Sequence, residues 1–316
     1  MNWKLQTPVS IFFYRRPAHL RQVMAKIRDA RPPVLFGVSD GPKTGDSQAL
    51  TAVEESRRVF RQMVDWPCRW EILERQQNFG SYLSVSKGLD WVLERVGETI
   101  ILEDDTVPNS SFFRFVAECL ETYRENPMVG AVCGNNYDDP ADWSGQTSYR
   151  FTRYHHSWGW GTWARAWHHF DREEKLLAEL PAIKKENKMR LSRKEWRYWD
   201  RCFHRTYARK LDAWDYRWTL SLWKNGMVCV IPRINLVRNI GFDALGTHTL
   251  ETDFAAHHMH EARSIDFPLH HPPRIGVDIE KDRKVFARHY QVLEGRRNAW
   301  QKLRDALGRL LGVKRR

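Results

Sequence analysis

Glu98-Thr-Ile-Ile-Leu-Glu-Asp-Asp-Thr-Val-Pro-Asn-Ser-Ser-Phe-Phe113 decides how this chain folds. Thr99 to Leu102 is a short apolar run rich in β-branched residues, too short for a helix and suited to a strand buried on both faces. Glu103, Asp104 and Asp105 follow at once, which puts three carboxylates at the carboxyl end of that strand, where open α/β sheets bind ligands. Adjacent acids raise one another's pKa, so a run of three at the rim of a core asks for a positive group, and a divalent cation answers that demand. The plainer reading is a solvated turn, since Asp favours turns through local hydrogen bonds. Pro108 breaks the strand, and Asn109 to Ser111 offer capping oxygens to a helix from about Phe112 to Tyr123.

Upstream, strand and helix patterns alternate. Strands are expected at Val9–Tyr14, Val34–Val38 and Trp70–Leu73, with helices over about 18–29, 47–63 and 81–95. Four such alternations in the first 125 residues imply a doubly wound, mostly parallel sheet of the Rossmann-like α/β class. Parallel strands gather their ends on one edge, so Arg16, Asp40, Asn78 and the Glu103-Asp104-Asp105 run should face a common crevice. No Gly-x-Gly-x-x-Gly follows the first strand and no Gly-x-x-x-x-Gly-Lys-Ser/Thr occurs, so phosphates would have to be held by a metal and basic side chains.

A chain of 316 residues with 42% hydrophobic and 28% charged residues has the balance of a soluble globular protein. No apolar stretch has the length of a membrane span and the N-terminus lacks a signal-peptide core, so the expected location is the cytoplasm. The five cysteines are scattered without Cys-x-x-Cys spacing and read as free thiols. A net charge of +12 suits nucleic acid, anionic lipid or phosphorylated substrates. Residues 299–316 place Trp300, Leu303, Leu307, Leu310 and Leu311 on one helical face flanked by basic groups, as in helices at the inner membrane surface. Docking of that helix on its own core fits the pattern equally.

Beyond the acidic run, a strand is expected at Met128–Cys133. The segment His155 to Trp167 then alternates glycine with tryptophan, which predicts a tight bend walled by aromatic rings rather than an ordinary strand. Indole faces suit sugar C–H surfaces, so Trp158, Gly159, Trp160 and Trp163 are candidates for carbohydrate contact, with a structural tryptophan cluster as the alternative. Residues 176–225 read as helical and basic. Within them Asp215 lies in an aromatic setting that would raise a carboxylate pKa toward the range of a general base; a plain helix-surface Asp is the alternative. A strand follows at Met227–Ile231, and the late histidines match no common zinc spacing.

Taken together, Phe13-Tyr-Arg-Arg-Pro17, Ser39-Asp-Gly41, Asn78-Phe-Gly80, Ile101-Leu-Glu-Asp-Asp105, Trp158-Gly-Trp-Gly161, Trp214-Asp-Tyr-Arg-Trp218 and Asn235-Leu-Val-Arg-Asn-Ile-Gly241 resemble a GT-A-fold glycosyltransferase of the family-2-like group. The relatives in question are bacterial enzymes similar to N-acetylglucosaminyltransferase I, whose DXD-type motif reads Glu-Asp-Asp. The resemblance covers about Val9 to His248. It implies a GT-A catalytic domain over 1–260, with a nucleotide half to about 135, a Trp-rich acceptor half from 136, and a basic extension over 261–316.

The same resemblance implies residue roles. Asp105 would ligate Mn²⁺ or Mg²⁺ on the diphosphate of a nucleotide sugar, with His248 completing the shell. Glu103 and Asp104 would contact donor sugar and ribose, Asp40 base or ribose, Arg16 the phosphates, and Asn78 the nucleotide pocket. Trp158 to Trp163 would face donor sugar and acceptor, and Asp215 would be the base of an inverting transfer to a glycan or lipid-linked glycan. Three other readings compete. A sugar-nucleotide nucleotidyltransferase shares the sheet and acidic site but normally carries a Gly-rich basic loop after the first strand. A nucleic-acid-binding protein explains the charge but not the acidic strand end. A non-catalytic carbohydrate-binding relative would not need both Asp105 and Asp215.

Overall fold

The computed structural model describes residues 3–138, 142–143, 145–242 and 261–291. His248 and the 299–316 segment lie outside the described residues. The first half is the expected alternation: β1 (Val9–Phe13), α1 (Pro17–Ala30), β2 (Val34–Ser39), α2 (Ser47–Met63), β3 (Arg69–Glu74), α3 (Gly80–Leu93) and β4 (Glu98–Glu103). Pro17 starts α1, where a missing N–H costs nothing, and Leu20, Val23, Met24 and Ile27 recur at helical spacing to bury one face. Asp46 caps α2 by accepting from the Ala49 N–H at 2.8 Å.

The second half adds β5 (Thr106–Pro108), α4 (Phe112–Thr122), β6 (Val129–Cys133), β7 (Tyr149–Thr152), β8 (Trp160–Trp163), α5 (Ala164–Trp167), α6 (Leu176–Glu186), α7 (Arg193–Tyr207), α8 (Asp215–Lys224), β9 (Val228–Pro232), β10 (Val237–Asn239) and α9 (Ile279–Val285), which runs into a π-helical turn at Phe286–Tyr290. Eight strands form one sheet in the order β3-β2-β1-β4-β8-β6-β9-β7. Only β8 and β7 run against the others, so the sheet is mostly parallel. The chain winds outward from β1 toward β3 on one side and β4 on the other, so the crevice above the ends of β1 and β4 is the switch point of the fold.

The Gly–Trp segment departs from expectation. Trp160-Gly-Thr-Trp163 is a strand in the middle of the sheet, with Gly161 opposite Ile100 on one side and Val132 on the other. Glycine is required there because α4 packs directly on it: a Cβ at Gly161 would come 2.7 Å from Val116 Cγ1 and 3.0 Å from Leu120 Cδ1. Ladder hydrogen bonds on both edges and the closeness of α4 outweigh the entropic cost of glycine in a strand. Trp160 and Trp163 are consequently core residues, 0% and 2% exposed, and do not face a ligand.

The 260/261 boundary does not separate the described part of the extension from the core. Asp282, at 0% exposure, accepts from Arg150 Nη1 at 2.7 Å, Thr152 Oγ1 at 2.8 Å, and the Arg153 N–H and Nε at 2.9 and 3.0 Å. Arg153 also donates to Glu195 of α7 at 2.7 Å, and Phe286 and Tyr290 pack on Tyr198. Removing one partner from a buried ionic network leaves uncompensated charge, which costs about 3–5 kcal/mol. Asp282→Ala should therefore lower unfolding stability by that order in denaturant titration, and an unchanged midpoint would show that residues 261–291 are not part of the cooperative core.

Candidate active site at the strand ends

The switch-point crevice is a cleft of about 650 Å³. Arg16, Asp40, Asn78, Glu103, Asp104, Asp105, Trp158 and Asp215 all line it, so residues spread over 200 positions of sequence converge as the topology requires. Gly159, Trp160 and Trp163 do not line it. Gly159 instead adopts φ +64° beside Phe112 and Val237, a conformation that only glycine takes without strain.

Arg16 sits in the acidic floor. Its guanidinium pairs with Asp104 and lies 3.0 Å from Asp105 Oδ2. Asp104, 3% exposed, also accepts from the Tyr14 N–H at 3.1 Å, which ties the end of β1 to the end of β4. Each of its oxygens thus takes one protein donor, and the residue also lines the cleft. Burial, then the charges of Asp105 and Asp104, push the Glu103 carboxyl up to about 8, against the lowering effect of Arg16; Asp215 adds a smaller push in the same direction. Asp215 is the first residue of α8, and its influence on Glu103 places it within electrostatic reach of the acidic run.

Gly241 closes over Asp105. The Ile240 N–H donates to the Asp105 carbonyl at 2.8 Å, and β10 pairs with β5 just beyond the acids. A Cβ at Gly241 would fall 2.2 Å from Asp105 Oδ2 and 2.8 Å from Arg16 Nη1. Gly241 is thus the one position of the resembling motif whose side-chain absence sets the acid's place.

Asp40 has a different role from the one expected. It accepts from the N–H groups of Gly41 and Phe79 at 2.9 Å, from the Gly80 N–H at 3.2 Å and from Asn78 Nδ2 at 3.0 Å. Four protein donors fill the roughly four lone-pair positions of a carboxylate, leaving none for a ribose hydroxyl. Asp212, which sequence reasoning missed, accepts from the next two N–H groups, Ser81 at 2.8 Å and Tyr82 at 2.9 Å. Two carboxylates therefore consume the orphan donors at the start of α3, so that helix end is not a phosphate seat. Basic side chains on the walls, Arg15, Arg16 and Lys43, remain for that purpose.

Aromatic side chains also line the cleft. Trp160, though buried, stacks on Trp214 with ring centroids 5.3 Å apart and planes 18° apart, and so holds the residue that precedes Asp215. Trp158, half-buried, reaches the cleft and meets Phe242 edge-on at 5.6 Å.

The donor set is hard oxygen, which fits Mg²⁺ or Mn²⁺. Among the described residues no group of three or more His, Cys, Asp or Glu side chains encloses a metal, so such an ion would take Asp105, with Glu103 beside it, and complete its shell from ligand and water oxygens. The fit rests on charge: Asp104, Asp105 and the neighbouring Asp215 bear on a floor whose paired cation is Arg16. Among the described residues no helix is long and apolar enough to cross a membrane.

Neither a protein-family model nor a curated protein sequence matches the chain. Among solved structures it is similar to a UDP-glucose pyrophosphorylase complexed with UDP-glucose, with a TM-score of 0.36 and 7% identity over 72% of this chain and 90% of that one. A likeness of that size carries no argument about the site.

Two outcomes are expected. Folded Glu103 keeps its proton to about pH 8 while the unfolded residue loses it near ~4.3, so the folded state binds more protons in that window and stability falls as pH rises through it. Metal-free protein should thus melt lower at pH 8.5 than at pH 6, and Glu103→Gln should flatten the slope; an equal slope in the variant would clear Glu103 of the effect. Gly241→Ala should displace Asp105 and weaken metal-dependent stabilisation at least tenfold in apparent affinity, read by calorimetry with Mn²⁺ and nucleoside diphosphates. Unaltered affinity would mean that Asp105 is not a ligand.

Proposed function

We propose that the chain is a metal-dependent, inverting glycosyltransferase that moves a sugar from a nucleotide-diphosphate sugar to a hydroxyl of a glycan or lipid-linked glycan. The observation that supports this reading best is that an acidic strand end and a second carboxylate, Asp215, line one cleft together with aromatic rings.

When bound, the cation would supply Lewis-acid stabilisation of the departing nucleoside diphosphate. Asp105, with Glu103 alongside, would hold it, and Arg16 and Lys43 would carry diphosphate charge. Asp215 would take the proton of the acceptor hydroxyl on a carboxylate oxygen while that hydroxyl oxygen bonds to the anomeric carbon. The bond from that carbon to the diphosphate oxygen breaks on the opposite face, and its electron pair leaves with the diphosphate. Trp158 would cover the sugar and exclude water. Asp40, Asp104 and Asp212 act by holding the walls in place.

General-base assistance is worth roughly 10²–10⁴ in rate. Asp215→Asn should therefore lose transfer by that factor and keep nucleotide-sugar binding. The donor is found first by thermal shift with UDP-, GDP-, dTDP- and CMP-sugars, each with Mn²⁺, Mg²⁺ or EDTA, since selective binding to the folded state raises the melting point. Full activity in Asp215→Asn would remove the base from the scheme. Pyrophosphate-dependent release of a nucleoside triphosphate from the sugar nucleotide would instead make the chain a nucleotidyltransferase.

A further inference from the structure

The chemistry proposed for the cleft leaves the largest concentration of charge in the chain unused. Residues 184–210 hold eleven Lys and Arg against three acids, a net +8 of the whole chain's +12. Most of this stretch is α7, Arg193–Tyr207, whose five Trp, Tyr and Phe rings are all turned inward at 8% exposure or less.

The other face of α7 is basic. Arg193, Lys194, Arg197 and Arg201 are exposed and Arg205 is half-buried. The four arginines recur every fourth residue, so they form one stripe that runs along the helix for about 18 Å. Both acids of α7 are answered within the protein. Glu195 is 0% exposed and paired with Arg153 at 2.7 Å, and Asp200 takes Lys184 at 2.7 Å. Among the described residues no carboxylate pairs with Arg193, Lys194 or Arg197. Arg21, Arg58 and Arg124, exposed on other elements, each have one.

Like charges four residues apart oppose helix formation, so the stripe is a cost that the buried aromatic face offsets. A surface of opposite charge would remove it. The stripe carries no apolar side chain to insert into a partner, and no Phe, Tyr or Trp ring on which a base could stack, as single-stranded nucleic acid requires. An acidic protein would need a pattern of carboxylates matched to the stripe. A plane of anionic headgroups needs only a line of cations within reach, and its phosphates suit the planar fork of arginine.

We propose that the solvent face of α7 docks on an anionic lipid bilayer, its arginines taking headgroup phosphates while no side chain enters the hydrocarbon. α7 ends at Tyr207, four residues before Leu211, which lines the cleft, so at most about 14 Å of chain separates the docking face from the cleft. The docking does not rest on the glycosyltransferase reading; the two together bring a lipid-linked acceptor and the cleft to one surface.

The test is co-sedimentation of the full chain with vesicles of phosphatidylcholine, alone or with about 30% phosphatidylglycerol, in about 0.1 M salt, where charge acts over about 10 Å. Only the anionic vesicles should take the protein down, and about 0.5 M salt should release it. Each basic residue near such a surface contributes about fivefold in affinity, so Arg193→Ala with Arg197→Ala should weaken binding about 25-fold. Arg193→Lys with Arg197→Lys should keep most of it. Arg58→Ala with Arg69→Ala, which removes two exposed arginines of α2 and β3, should change it by less than about twofold. No binding to anionic vesicles, equal binding to neutral ones, or undiminished binding of the α7 alanine variant would overturn the proposal. A duplex of RNA or DNA held more tightly than the anionic vesicles, and lost in the same variant, would make the partner nucleic acid instead. None of these readouts involves sugar transfer, so failure here leaves the proposed function standing.

Discussion

The contact between Arg16 and the acids at the end of β4 is the constraint on which the rest of the site depends. A buried strand that ends in three carboxylates is not tolerated without compensation, because each charge desolvates at its neighbours' expense. Arg16 reaches the run only because β1 and β4 are adjacent and parallel, so that the residues just past their ends share one crevice. It answers Asp104 and Asp105 but leaves Glu103 with a strongly raised pKa. A floor held so short of positive charge fits the cation proposed for it, which a site fully neutralised by its own side chains would not.

A second constraint joins the halves of the molecule. The start of α3 belongs to the first half of the chain, yet Asp212, from the loop that leads into α8, takes two of its N–H groups across 130 residues. Gly80 makes room: at φ +74° it brings the backbone so close to Asp212 that a Cβ would lie 2.4 Å from Oδ2. Three residues after Asp212 comes Asp215, with Trp214 between them stacked on Trp160 of the central strand. The place of Asp215 relative to the acids is therefore set by rigid elements on both sides, as the role proposed for it requires.

Much of this was legible in the sequence because it is local. The alternation of 3.6-residue and two-residue patterns sets β1 through α4, and parallel topology then carries Arg16, Asp40, Asn78 and the Glu103 run to one edge without further information. What was not legible depends on partners distant in sequence. Gly–Trp alternation has poor strand propensity, and only the closeness of α4 to Gly161 explains why a strand is built from it. Asp40 looks like a ligand residue beside a Gly-Pro turn, but its four bonds to Gly41, Asn78, Phe79 and Gly80 are apparent only once the loop before α3 is folded. Asp212 carries no signal in its own neighbourhood that would mark it as the cap of a helix in the other half.

The tryptophans show why composition alone misplaces function. An indole lends itself to sugar recognition and to core packing for the same reason, a large flat apolar face with one polar edge, and the deciding fact is which face the backbone turns outward. In β8 the two-residue period sends both Trp160 and Trp163 into the packed layers, while Trp158, before the turn at Gly159, reaches the cleft. Trp160 still bears on the cleft, through its stack on Trp214, the neighbour of Asp215. Substitutions in this buried stack would therefore act on the placement of Asp215 before they act on any contact with a ligand.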